Sequence, residues 1–246
     1  MFEQPNSVLI AGAGGGLGQA LVAEVGRRCP QARLLTISRS QPPSQLLQAA
    51  ANRHLCVQLG RPEAVQQVRE FLRRQAQLPE WVINCCGILH DGDHAPEKSL
   101  DQCSDEWLLT SMRGNLLTHL HLAQALGPLL SRGNPLLWAS LSAKVGSIGD
   151  NQMGGWYSYR ISKAALNMLV KNLAIEWGRR LDSSCVVAIH PGTTDTDLSK
   201  PFQKRIAPGK LYSPQLSAER ILEVLQGLKP SDSGRLLFWD GQVIPW

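Results

Sequence analysis

The feature that most restricts what this chain can fold into is Gly12-Ala13-Gly14-Gly15-Gly16-Leu17-Gly18, which follows the apolar run 8–11 and leads directly into a stretch of helical composition, 18–28. Glycines at this density leave main-chain N–H groups bare, and the helix that follows presents a positively polarised N-terminus; a Cβ here would hold a phosphate away. Strand, glycine turn and helix in immediate succession near the start of the chain is the arrangement that a dinucleotide pyrophosphate needs. Gly12, Gly14, Gly15, Gly16, Leu17 and Gly18 are therefore expected to line a dinucleotide site.

The rest of the chain repeats that rhythm. Short apolar runs at 8–11, 34–38, 54–59, 81–85, 136–141, 185–190 and 236–239 alternate with longer helical stretches at 18–28, 44–51, 62–77, 105–130, 157–179 and 217–227, with start signals at Pro62 and Ser217. Continuous apolar runs are how buried parallel strands read, and parallel strands need crossover helices between them. The expectation is an α/β fold: one doubly wound, Rossmann-type parallel sheet of about seven strands flanked by helices, forming a single domain over residues 1–246. The Gly-, Pro- and Lys-containing stretch 195–214 reads as a long loop or lid.

Composition excludes several classes. With 43% hydrophobic and 18% charged residues the chain is not disordered. The net charge of +5 is scattered, its densest spots being the pairs Arg27-Arg28, Arg73-Arg74 and Arg179-Arg180 at expected helix ends, which argues against a nucleic-acid surface and suits a small anionic ligand. The six cysteines show no metal-ligand spacing, so no metal is expected and the thiols point to a reducing compartment. No apolar window approaches the roughly 18 residues of a membrane span, and the N-terminus lacks the charge pattern of a signal peptide. A cytoplasmic protein without membrane or nucleic-acid partners is expected.

At the end of the second strand, where an acidic residue would bind the ribose hydroxyl of NAD, stands Ile37-Ser38-Arg39-Ser40. With no carboxylate to repel a phosphate and Arg39 able to pair with it, NADP(H) is preferred over NAD(H), with Ser38 and Arg39 as contacts. Further on, Tyr159 and Lys163 stand four residues apart on one helix face. An ammonium beside a phenol stabilises the phenolate, so Tyr159 is expected to have a lowered pKa and to serve as general acid and base.

Taken together, these motifs resemble the short-chain dehydrogenase/reductase family over nearly the whole chain. Gly12, Gly16 and Gly18 match its glycine motif, Asn84-Cys85-Cys86-Gly87 its Asn-Asn-Ala-Gly motif, Asn115 its helix asparagine, Tyr159 and Lys163 its Tyr-x-x-x-Lys pair, and Pro191-Gly192 with Thr194 and Thr196 its Pro-Gly segment. Finer similarity, in residues 96–100, 146–151 and 154–157, is to the C-factor-like and sniffer-like carbonyl reductase branch. The resemblance implies an NADP(H)-dependent oxidoreductase acting on a carbonyl or alcohol. It implies that Lys163 also binds the nicotinamide ribose, that Asn115 holds a relay water, that Thr196 contacts the carboxamide, and that Asn84 and Gly87 line the adenosine side. It further implies a homodimer or homotetramer built on the helices carrying Asn115 and Tyr159.

The chain departs from the family at Gly60, where an aspartate usually meets the adenine, at Cys85-Cys86, and at Ala143, which holds the usual position of the substrate-binding serine. Ser142 and Ser147 flank Ala143 and are the candidate replacements, although alternation along a strand sends Ser142 to the opposite face. Loss of that hydroxyl favours a second reading, a catalytically weak NADP(H)-binding sensor or signalling protein. A pocket formed by 89–96, 146–156 and 194–208, containing His90, His94, Trp156 and Phe202, suggests an apolar or aromatic carbonyl compound.

Overall fold

The computed structural model describes residues 4–41 and 52–246; the helix expected at 44–51 lies outside them. An eight-stranded sheet runs in the order β10-β9-β6-β5-β4-β1-β2-β3, with β1 (Ser7–Ala11), β2 (Arg33–Ser38), β3 (Arg53–Cys56), β4 (Trp81–Asn84), β5 (Leu136–Leu141), β6 (Ser184–His190) and β9 (Leu236–Phe238) parallel. The eighth strand, β10 (Val243–Ile244), is antiparallel to β9; two residues long, it carries too little pattern to read from sequence. A separate two-stranded ladder joins β7 (Thr193–Thr194) to β8 (Leu211–Tyr212).

Both faces of the sheet are covered, which is why its strands read as unbroken apolar runs. Leu9 and Ala11 of β1 face one way, into a core shared with α2 (Ala64–Arg73), α4 (Thr118–Leu126) and α5 (Tyr157–Arg180). Val8 and Ile10 face the other, against α1 (Gly16–Arg28) and α6 (Pro214–Gly227). Strand order reverses between β1 and β4, and the crevice at such a reversal is where open α/β sheets bind their ligands. The glycine loop after β1 and residues 85–87 after β4 both emerge there.

Several helix boundaries differ from the sequence reading. The span 105–130 is α3 (Asp105–Met112), a π-helical turn (Arg113–Leu117), α4 and a 3-10 turn (Gly127–Leu129), because Asn115 is drawn inward by partners outside the helix. Pro62 does not open α2, and α6 starts at Pro214, capped by Ser213, whose Oγ accepts from Leu216 N at 3.2 Å. Ser217 is buried inside α6 and bonds Thr194. The stretch 195–214 contains a 3-10 helix (Lys200–Arg205) and β8.

Candidate active site

Helix α5 delivers the centre of the site. Its inward stripe consists of Trp177, Val170 and Leu166 against the sheet and continues towards the N-terminus as Lys163 and Tyr159, so the packing that seats the helix also carries these two side chains to the crevice. Tyr159 and Lys163 are 8% and 3% exposed. Lys163 Nζ lies 5.8 Å from the centroid of the Tyr159 ring and donates to Leu141 O at 2.9 Å.

Burial decides the charge states. Tyr159 is surrounded by Leu89, Ala143, Val145, Trp156, Leu198 and Phe202, and desolvation pushes its phenol well above its ordinary range. The expected lowering by Lys163 is thereby overturned: at this separation the ammonium does not offset the loss of water. Burial brings Lys163 down to about 8, with Cys86 and Cys85 opposing the fall. The site therefore holds a protonated phenol beside an amine close to its titration range.

Asn115, at the middle of the π-helical turn, is fully buried. Its Oδ1 accepts from Ile88 N at 2.7 Å, and its Nδ2 donates to Ile88 O and Ser162 Oγ, both at 2.9 Å. Ser162 Oγ donates on to Tyr159 O at 2.8 Å. Asn115 thus ties the loop after β4 to α5, and any relay water has only the second lone pair of Oδ1 or the main-chain carbonyl to bond.

The neighbouring serines turn elsewhere. Ser142 Oγ donates to Asn167 Oδ1 at 2.6 Å, and Ser147 Oγ donates to Pro245 O at 2.5 Å while accepting from Asp150 N. Their one proton each is spent on these partners, so neither replaces the hydroxyl missing at Ala143, which packs directly into the apolar pocket of Tyr159. His90 Nε2 bonds Asp197 O at 2.9 Å, and His94 stacks on Trp107 away from that pocket.

On the cofactor side, Gly12 has φ +80, and a Cβ on it would stand 3.0 Å from Cys86 N; one on Gly18 would stand 2.2 Å from Gly12 O. Gly14, Gly15 and Gly16 are exposed, Leu17 is half-buried, and α1 starts at Gly16, so its first-turn N–H groups face the crevice. A Cβ on Gly87 would lie 3.1 Å from Asn115 Oδ1 and 3.4 Å from Lys163 Nζ, so the missing side chain lets the backbone after β4 approach both groups. Thr196 reaches the glycine loop, its Cγ2 3.1 Å from where Gly16 would carry a Cβ, and Gly192 (φ +75) follows Pro191 and turns the chain beneath Tyr212 and Trp239. Arg39 is exposed and its side chain pairs with no described residue; Ser38 Oγ donates to Ser40 O. These surfaces fit a nicotinamide dinucleotide.

The side chains of two further expected contacts are turned inward. Asn84 is fully buried, its side chain accepting from Cys86 N at 3.0 Å and donating to Thr118 O at 3.3 Å, so it shapes the turn after β4. Thr194 Oγ1 is buried against Ser217 Oγ at 2.8 Å and anchors the β6 loop to α6.

Residues 6–207 match the family described as short chain dehydrogenase. The chain belongs to that family. This short chain dehydrogenase is similar to the carbonyl reductase Sniffer of D. melanogaster, 25% identical with a TM-score of 0.81 and covering 98% of this chain and 99% of that one. The NADPH-bound carbonyl reductase from chicken fatty liver is 25% identical, with a TM-score of 0.80, over 99% of this chain and 95% of that one. The C-signal protein of Myxococcus xanthus is 35% identical over 132 residues, 54% of this chain and 74% of that protein. A 1-hydroxy-2-glutathionyl-2-methyl-3-butene dehydrogenase of Rhodococcus sp. is 37% identical, and the chain spans only 55% of that relative's length. These likenesses agree with the branch that the sequence resembles.

Sequence reasoning missed Glu97 in this short chain dehydrogenase. Buried to 3% exposure, its carboxylate accepts from Ser158 N (3.2 and 3.3 Å) and from Ser158 Oγ, while its main-chain oxygen accepts from Trp156 N at 2.6 Å. Trp156 precedes α5 in the left-handed region (φ 54) and offers no side-chain cap, so Glu97 supplies the cap from another loop. A local scan for capping residues cannot find a partner 61 positions away.

Proposed function

We propose that this chain is an NADP(H)-dependent oxidoreductase interconverting an apolar or aromatic carbonyl compound and its alcohol. The observation that carries the proposal is the junction at Gly87: Lys163 Nζ and Asn115 Oδ1 both converge on it, within 3.4 Å of where a Cβ would stand, the glycine loop abuts the preceding Cys85-Cys86 backbone, and Tyr159 lies one helical turn before Lys163 in its apolar cluster.

When bound, the cofactor supplies or accepts the hydride at its nicotinamide. Gly14, Gly15, Gly16, Leu17 and Gly18 hold the pyrophosphate at the start of α1, Arg39 meets the 2′-phosphate, and Pro191, Gly192 and Thr196 flank the nicotinamide. Tyr159, kept protonated by burial, donates from its Oη to the substrate carbonyl oxygen in the reducing direction. Lys163, which titrates near pH 8, hydrogen-bonds the ribose and in its charged form favours the phenolate that donation leaves behind. Asn115 and Ser162 hold α5 in register with the loop after β4.

Ala143 supports a second reading, a weakly catalytic NADP(H)-binding signalling protein, as does the similarity to C-signal. Fluorescence titration with NADPH and NADH, followed by a panel of ketones, aldehydes and quinones, separates the two. Tight NADPH binding with cofactor consumption lost in Tyr159→Phe supports the enzyme; tight binding without turnover supports the sensor; no binding overturns both.

An assembly through α3 and α5 fits the exposed apolar residues Ile161, Met168 and Ile175, seven apart on one face of α5, and Leu109 on α3. A homodimer or homotetramer is the proposed state. Six unpaired cysteines suit the reducing cytoplasm, and no helix among the described residues is long and apolar enough to cross a membrane.

A further inference from the structure

We infer that His119 is a positioning residue for the cofactor floor, clamping the carbonyl of Cys86 so that the Cys85-Cys86-Gly87 backbone stands at the depth the dinucleotide requires. His119 belongs to α4 and is fully buried. Its Nε2 lies 3.2 Å from Cys86 O and its Nδ1 3.1 Å from Ser140 Oγ, which in turn receives Trp138 Nε1 at 2.9 Å.

The donors and acceptors leave one consistent assignment. A carbonyl only accepts, so Nε2 carries the ring proton; Nδ1 then accepts from the Ser140 hydroxyl, and the indole, which only donates, fills the hydroxyl oxygen's other side. Every proton in the row Trp138, Ser140, His119, Cys86 has one place to go. Burial, helped by the charge of Lys163, keeps the ring neutral, with a pKa lowered to about 3.

The other end of the same residue is held as well, since Cys86 N donates to Asn84 Oδ1 at 3.0 Å. Cys86 is thus gripped from β4 at its nitrogen and from α4 at its oxygen. This segment forms two walls of the proposed site. The glycine loop approaches it so closely that a Cβ on Gly12 would stand 3.0 Å from Cys86 N and 3.1 Å from Cys85 C, and the next residue, Gly87, borders Lys163. His119 touches neither cofactor nor substrate in this arrangement and acts through the main chain.

The inference rests on the proposed NADP(H) reading, and paired variants test it. The amide nitrogen of His119→Gln reaches the position of Nε2 and keeps the bond to Cys86 O; His119→Asn keeps only the Ser140 side. We expect the NADPH dissociation constant, by fluorescence titration, to stay within about twofold in His119→Gln and to weaken about tenfold in His119→Asn, with similar thermal midpoints and little change in kcat at saturating cofactor. Equal dissociation constants in the two variants overturn the inference alone. Failure of the wild-type protein to bind NADPH overturns the reading beneath it and the inference together. A nitrogen-15 spectrum of the wild-type histidines, which needs no variant to fold, should show His119 protonated at Nε2 and shifted by NADPH; an Nδ1-protonated ring overturns the assignment.

Discussion

Lys163 donates from Nζ to the main-chain oxygen of Leu141 at 2.9 Å, so its amine is held against the end of β5 and out of water. The unfolded chain keeps this proton up to about pH 10.5, whereas the folded protein gives it up near pH 8. Folding therefore carries a cost that is complete below pH 8 and fades as pH rises to 10.5. Lys163→Met removes the cost. The ligand-free variant should be more stable than wild type at pH 7, by at most about 3 kcal/mol, with the gap closing between pH 8 and 10.5 and turnover abolished. Urea midpoints across that range check it; a gap independent of pH would show that desolvation of the amine is not the cause.

Ala143 packs against Tyr159 where a hydroxyl would give the developing oxyanion a second donor. Ala143→Ser should raise kcat about 10- to 100-fold while leaving the NADPH dissociation constant unchanged. Steady-state rates with an aromatic aldehyde measure this, and an unchanged kcat would mean that another group already polarises the carbonyl.

Arg39 stands at the end of β2 with its side chain exposed and in no hydrogen bond or ion pair with a described residue. Arg39→Ala should weaken NADPH binding about 10- to 100-fold, as expected for loss of a charge-assisted phosphate pair, and leave NADH binding nearly unchanged. Parallel titrations with the two cofactors decide the matter; equal losses would place the 2′-phosphate elsewhere.

Glu97 caps the helix that carries Tyr159, bonding Ser158 at both N and Oγ. Glu97→Ala leaves those buried donors unpaired and should cost about 1–3 kcal/mol, with kcat falling further than KM changes because Tyr159 is the next residue. Glu97→Gln keeps an acceptor and should recover most of both. If the glutamine variant is as impaired as the alanine one, the negative charge at the helix start, and not the hydrogen bond, is what matters.

How much the sequence disclosed varies from residue to residue. The Tyr159 and Lys163 pairing was legible because four residues along one helix is a fixed geometry. The fates of Ser142 and Ser147 were not, since each hydroxyl turns to a partner on another element, Asn167 or Pro245, whose nearness no local spacing encodes. The internal hydrogen bonds of Asn84 and Thr194, to Thr118 and Ser217, were hidden for the same reason.

By itself, the sequence determined the parallel sheet, the glycine turn into α1 and the shared face of Tyr159 and Lys163, because hydrophobic period, the absence of a Cβ and the pitch of a helix act within a few residues. Tertiary structure alone decided that Tyr159 keeps its proton, that Glu97 caps α5, that the helix around Asn115 widens into a π turn and that His119 grips Cys86. Those outcomes depend on how completely water is excluded and on which distant donor meets which acceptor, and both are set only when segments far apart in the chain pack together.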